Sequence, residues 1–417
     1  MEQLVITGGN RLCGEVSIKG FKNAALAIIP ATICARSECI IDNLPEIDDI
    51  RFYIDTLAEM NVECKYIDSN TLRIDSTNIK NVCADFESVK KIRASYYMLG
   101  ALLGVFKQAE VALPGGCNLG SRPIDYHIKG FEALGAEVSV EHGIIRVKAD
   151  KLTGSTIYLD FASVGATINI MLAAVFATGV TVIENAAKEP HIVDVANFLN
   201  ILGAKVKGAG TDIIKITGVK NLHGGQYTIV PDQIEAGTFM IAAAATGGDI
   251  TVTNIIPKHM DSLSAKLGEM GCKITEGDDF IRVVADKPLK ATSVKTMCYP
   301  GFPTDLQPQM AALMAGVKGT SFITETIYEN RFQYINELKR LGANITVDGR
   351  MAVIEGPANL TGADVSATDL RAGVALIIAG LAASGDTTIG NVRFIDRGYE
   401  HIEDKLIALG AKIRRIK

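Results

Sequence analysis

The chain has 417 residues, 48% of them hydrophobic and 6% aromatic, with no tryptophan and a formal net charge of −5. That length exceeds one comfortable hydrophobic core and points to two domains, while an apolar mass of Ala, Ile, Leu and Val favours α/β packing. The acidic balance, without any lysine- or arginine-rich run, argues against nucleic acid as a partner, and no purely apolar run of roughly 18 residues reads as a membrane span.

The N-terminal MEQLVITGG has no basic region leading into an apolar one, so no secretory signal is expected and a cytoplasmic location is. A strand region, LVITGGNRLCGEVSIKG, comes first. It is followed by KNAALAIIPATICA, a helix apolar on every side, and then by a helix with one polar face that ends at MNVEC (60–64). The same order recurs. ASYYMLGALLGVF leads to LGAEV (134–138), VGATINIMLAAVFA to LGAKV (202–206), IEAGTFMIAAAA to MGCKI (270–274), LQPQMAALMAGV to LGANI (341–345) and LRAGVALIIAGLAA to LGAKI (409–413).

Counted at the second residue of each phrase (61, 135, 203, 271, 342, 410), successive intervals are 74, 68, 68, 71 and 68 residues. Six units of one design follow from this. Each reads as buried helix, strand, loop, outer helix stopped at the phrase, and strand pair such as EVSV then IIRVKA. The sixth unit ends at LGAKIRRIK without its second strand, and the opening strand region is left over. The N-terminus is therefore expected to complete the last unit, giving one domain over 22–229 and another over 1–21 with 230–417.

Eight cysteines (13, 34, 39, 64, 83, 117, 272, 298) show no CxxC pair or metal-like spacing. Seven read as small buried side chains, whereas Cys117 stands behind two glycines in PGGCNLGSRPIDYH. The buried helices begin at Lys22-Asn23, Arg93, Ser163, Asp232, Asp305 and Asp369 with Arg371. The aspartates suit N-caps. Cations at a helix N-terminus oppose its dipole, so Lys22, Arg93 and Arg371 predict an anion there. Arg122 and Arg397, each thirteen residues before a phrase glycine, and Arg331, eleven before, add cations on related edges. Together they point to small, highly anionic substrates.

Ten segments in order carry a resemblance that runs nearly end to end: FKNAAL (21–26), IRAS (92–95), PGGCNLGSRPIDYHI (114–128), SVGAT (163–167), IENAAKEPHIVD (183–194), PDQIEAGTF (231–239), FPTD (302–305), FITET-x-x-ENRF (322–332), ATDLRA (367–372) and IDRGYEHIEDKL (395–406). The chain resembles the UDP-N-acetylglucosamine 1-carboxyvinyltransferases, the enolpyruvyl transferases of peptidoglycan synthesis. The resemblance implies two inside-out α/β barrel domains, each of three βαβαββ repeats with the apolar helices in the middle. It implies transfer of the enolpyruvyl group of phosphoenolpyruvate to the sugar 3-hydroxyl of UDP-N-acetylglucosamine, with release of phosphate and without metal or organic cofactor.

By the same resemblance Cys117 is the general acid and the residue alkylated by fosfomycin, and Asp305 accepts the hydroxyl proton. Lys22, Arg122 and Arg397 meet phosphate and enolpyruvyl, Arg331 and Arg371 add charge to the same anion, and Asn23 bridges both substrates. Arg93, the run Arg122, Pro123, Ile124, Asp125, Tyr126 and His127, the run Phe161, Ala162, Ser163, Val164 and Gly165, and Ile327 match positions that hold the nucleotide sugar. Two departures stand out. Phe161 occupies a place where some members carry lysine, and Tyr96-Tyr97 follows Arg-Ala-Ser where some have tryptophan. The nearest rival, transfer to shikimate 3-phosphate, is expected with Lys-Ser at the first buried helix and without PGGC. A cyclase acting on RNA 3′-phosphate ends would need a catalytic histidine, and a non-catalytic relative would not need Cys117, Asp305, Lys22 and Arg397.

Overall fold

The computed structural model describes residues 2–80, 83, 93–112 and 124–417, with the side chains of Arg93 and Ala94 outside that description. These residues fall into two compact units, one taking the chain up to Lys19 and from Pro231 onward, the other running from Gly20 to Val230.

In the unit from Gly20 to Val230, the helices Lys22–Ala31, Tyr97–Phe106 and Val164–Ala174 are apolar all round and almost wholly buried. Small residues let them approach closely. The Gly100 N–H donates to Asn169 Oδ1 at 2.8 Å, and a Cβ on Gly104 would stand 2.9 Å from the Leu172 carbonyl oxygen. Contacts that advance together along both helices mean that the two run parallel. Ala35, Val105 and Ala177, just at or past the three C-terminal ends, line one cavity. The three N-termini therefore share the opposite end of this unit.

The other unit repeats the scheme with Gln233–Ala245, Gln307–Ala315 and Leu370–Ala382. Outer helices bury one stripe only. Asp48–Glu59 buries Asp49, Ile50, Tyr53, Thr56 and Leu57, the spacing of one helical face. One or two residues past each outer helix the chain takes a left-handed conformation, with φ of 65° at Asn61, 92° at Gly135, 102° at Gly203, 108° at Gly271, 96° at Gly342 and 98° at Gly410.

Among the described residues each unit has three sheets, five of the six being four-stranded. A typical one orders Lys205–Lys207, Ile213–Thr217, Val180–Glu184 and Thr156–Tyr158, the last pair parallel and joined through a central helix. The unit read from the repeated phrases alone lacked such an edge strand, because three residues are too few to show a period of two, whereas the βαβαββ repeat implied by the resemblance includes it. Gln3–Thr7 lies between Asp386–Gly390 and Lys412–Ile416, antiparallel to both. It supplies the strand that the sixth unit lacks. Cys13–Ser17 pairs parallel with Asp249–Thr253, and Gln226–Thr228 with Glu38–Asp42. Each unit thus takes one edge strand from a segment distant in sequence.

Where the chain passes between units, the Phe21 N–H donates to Val230 O at 2.7 Å and the Asp232 N–H to Lys19 O at 2.9 Å. Among the described residues no helix is long and apolar enough to cross a membrane. The cysteines depart from expectation: Cys34, Cys39 and Cys272 are buried, but Cys13 and Cys83 are exposed and Cys64 and Cys298 intermediate. Cys13 opens an edge strand, whose alternation turns every second side chain to solvent.

Candidate active site

In the unit from Gly20 to Val230, Lys22 is the first residue of its helix, and its N-cap, Phe21, makes no side-chain capping bond. The Lys22 Nζ lies 2.8 Å from the Asp49 carboxylate, with both side chains nearly buried. Asp49 on the neighbouring outer helix thus holds the Lys22 ammonium at the start of the central helix. Asn23 follows, half-buried. Arg93 opens the turn Arg93–Tyr96. Ser163 caps its helix, its hydroxyl oxygen accepting from the Ala166 N–H at 3.3 Å. Phe161 is 43% exposed, and Ala162, Ser163, Val164 and Gly165 are half-buried.

His127 is held in one protonation state. The Gly100 N–H can only donate, so Asn169 turns its oxygen to Gly100 and its amide nitrogen to His127 Nδ1, 2.8 Å away. Nδ1 must then accept, which leaves the proton on Nε2. Burial pushes the His127 imidazole down to about 4. Its ring backs on Gly165, where a Cβ would meet Cε1 and Nε2 at 3.0 Å. Ile124 and Tyr126 beside it are half-buried and Asp125 is exposed. Cys117, Arg122 and Pro123 lie outside the described residues.

In the other unit, Asp232 and Asp369 are N-caps, accepting from Ile234 and Glu235 and from Arg371 and Ala372. Asp305 is not. It sits in the single turn Thr304–Leu306 ahead of helix Gln307–Ala315 and is gripped by two buried guanidiniums. Arg371 places Nε at 3.2 Å and Nη2 at 3.0 Å on Oδ2, and Arg331 Nη2 lies 3.1 Å from Oδ1. Burial opposes the Arg371 charge, yet Asp305 and its other neighbours more than offset that, so the guanidinium stays firmly protonated. Arg371 Nη1 also donates to the Tyr399 hydroxyl at 3.1 Å, which pairs with Thr238 at 2.8 Å. Arg397 directly follows helix Arg393–Asp396. The Asp396 carboxylate is clamped by Arg415 from the last strand at 2.8 and 3.0 Å. Ile327 is half-buried on the turn after strand Gly319–Thr324.

The structure therefore brings Asp305, Arg331 and Arg371 into one cluster, and sets Lys22, Asn23, Ser163 and His127 at the N-terminal ends of the other unit's central helices. Within its own unit, the pair of guanidiniums fixes the direction in which the Asp305 carboxylate faces. The family described as EPSP synthase (3-phosphoshikimate 1-carboxyvinyltransferase) matches residues 6–406. A UDP-N-acetylglucosamine 1-carboxyvinyltransferase of Clostridium botulinum is 57% identical over all of both chains, and a UDP-N-acetylglucosamine 1-carboxyvinyltransferase 2 of Bacillus subtilis is 56% identical over all of this chain and 97% of its own. The chain belongs to the UDP-N-acetylglucosamine 1-carboxyvinyltransferase family. The enolpyruvyl transferase NikO from Streptomyces tendae superposes on this transferase with a TM-score of 0.90 at 27% identity, covering 99% of this chain and 98% of its own. An EPSP synthase of Acinetobacter baumannii, 19% identical with a TM-score of 0.76 over the whole of both chains, shares the fold.

Sequence reasoning missed several supporting groups of this transferase. Asp49, Tyr399 and Arg415 carry no local signal that singles them out. Asn169 does carry one, being a lone amide inside an otherwise apolar helix. Glu325 lies within FITET, yet nothing in the segment tells which letters are buried.

Proposed function

We propose that this chain transfers the enolpyruvyl group of phosphoenolpyruvate to the 3-hydroxyl of UDP-N-acetylglucosamine, releasing phosphate, as the committed step of peptidoglycan synthesis in the cytoplasm. The observation that carries the chemistry is Asp305 between Arg331 and Arg371. The full-length relatives carry the choice of sugar nucleotide.

In the first half-reaction the sugar 3-oxygen bonds to C2 of phosphoenolpyruvate, its proton passes to Asp305, and Cys117 delivers a proton to C3. In the second, the bond from C2 to the phosphate oxygen breaks, a proton passes from C3 to the Cys117 thiolate to restore the double bond in the product, and the proton held by Asp305 leaves with the phosphate. Neutralising Asp305 removes the charge that Arg331 and Arg371 balance in the resting protein. Their charge then turns to the phosphate and carboxylate beside them as these become the better partners. Lys22, Arg122 and Arg397 complete the anion site, and Asn23 spans both substrates.

Arg93, the run from Arg122 to His127, the run from Phe161 to Gly165, and Ile327 hold the nucleotide sugar. The His127 Nε2–H is a fixed donor, and an exposed Phe161 offers a face for stacking in place of a charge. Fosfomycin is a covalent inhibitor at Cys117.

Phosphate release from phosphoenolpyruvate tests the reading. It is expected only with UDP-N-acetylglucosamine present, and to be abolished by fosfomycin with added mass at Cys117. Release with shikimate 3-phosphate instead would hand the chain to the sister reaction, and full activity of Cys117→Ala would remove the proposed acid.

A further inference from the structure

We propose that Glu325 is a positioning residue that aims Asp305 and the Ile327 turn through a single carboxyl group, an inference that rests on the reading just given. Glu325 is 1% exposed. Its Oε1 accepts from the Thr296 hydroxyl at 2.9 Å, the Ile327 N–H at 2.8 Å and the Tyr328 N–H at 3.1 Å. Its Oε2 accepts from the Thr304 hydroxyl at 2.9 Å. Among the described residues, these partners are hydroxyls and amides, and no cation forms an ion pair with it.

A carboxyl group buried without a cation is tolerated only when its lone pairs are engaged by well-placed donors. Four donors from three segments do that here. Thr304 is thereby clamped at both ends, its hydroxyl by Glu325 and its carbonyl by Arg331 Nη2 at 3.1 Å. Asp305 is the next residue, so the clamp fixes where its carboxylate begins. On the other side, the Thr326 N–H donates to the Thr296 hydroxyl at 2.9 Å and the Thr326 hydroxyl to the Thr296 carbonyl at 2.5 Å. The turn bearing Ile327 is thus tied to the same strand ends. One carboxyl group sets the distance between the proton acceptor and the turn beside the sugar. A misplacement of about 1 Å in such a site costs on the order of a hundredfold in rate.

Steady-state phosphate release, measured per folded molecule well below the melting temperature, tests this with two pairs of variants. Glu325→Gln keeps an oxygen for the Ile327, Tyr328 and Thr296 donors and offers its amide to the Thr304 hydroxyl, so kcat is expected to stay within about threefold. Glu325→Ala is expected to lower kcat by more than about thirtyfold and raise KM for the nucleotide sugar, with KM for phosphoenolpyruvate nearly unchanged. Thr304→Val cuts only the Oε2 arm and is expected to lower kcat about tenfold at unchanged KM, with Thr304→Ser restoring it.

Should Glu325→Ala fail to fold, the Thr304 pair decides. An unchanged kcat in Thr304→Val, or equal losses in Glu325→Gln and Glu325→Ala, would overturn the inference while leaving the reaction intact. An unaltered protein that releases no phosphate with both substrates would overturn both.

Discussion

His127 shows how one buried side chain acquires a defined chemistry. Asn169 can satisfy Gly100 and His127 together in only one orientation, and that orientation admits only a neutral imidazole protonated at Nε2. Its folded value near 4 lies below the ordinary 6.5, so its share of stability is complete above pH 6.5 and is lost as pH falls towards 4. The loss amounts to about 3 kcal/mol across that window. Denaturant unfolding at pH 7 and pH 4 is expected to show a drop smaller by this amount in His127→Phe, and nitrogen NMR is expected to show Nε2 protonated throughout. A His127 titrating above pH 6 would contradict the geometry. Lys22 and Asp49, by contrast, hold their charges by pairing. Lys22 was legible as a cation at a helix start. Its partner was not, because Asp49 reads as an ordinary acidic residue in the first turn of an outer helix.

The helices and strands were the most legible part of the chain. Apolar residues on every side of Val164–Ala174 and a one-sided stripe in Asp48–Glu59 tell a covered helix from a half-exposed one, and the structure makes the same division. The repeated phrase was equally informative, since a residue that ends an outer helix with positive φ is strongly selected to be glycine. Gly271 isolates that requirement, with φ of 108° and nothing within 4 Å of where a Cβ would stand. Gly271→Ala is therefore expected to cost about 1–2 kcal/mol of stability from backbone strain alone. A loss below about 0.5 kcal/mol in denaturant unfolding would mean that the local backbone relaxes. The short edge strands were illegible for the converse reason. Thr156–Tyr158 is held by its parallel neighbour, not by any pattern of its own.

Across the whole chain, the two units repeat one design with different polar equipment. The unit from Gly20 to Val230 offers Lys22, Ser163 and His127, whereas the other offers Asp305, Arg331 and Arg371. Binding of the nucleotide sugar to the native protein alone stabilises it by mass action, about 2.7 kcal/mol at a hundred times Kd. Thermal unfolding is therefore expected to shift upward with UDP-N-acetylglucosamine and to move little with UDP-free sugar. Equal shifts for both would remove the nucleotide contacts assigned to Arg93 and the Phe161–Gly165 run.

Repeat number, helix burial and the list of candidate cations follow from order along the chain, because periodicity and composition record which side chains avoid water. Pairing does not follow from them. Asp305 and Arg371 are 66 residues apart, and Thr253 and Val16, whose strands lie side by side, are 237 apart. A local pattern states that a surface must be covered or a charge balanced, and many segments satisfy that demand equally well. Only the folded chain, by packing its helices and registering its strands, selects the one that does.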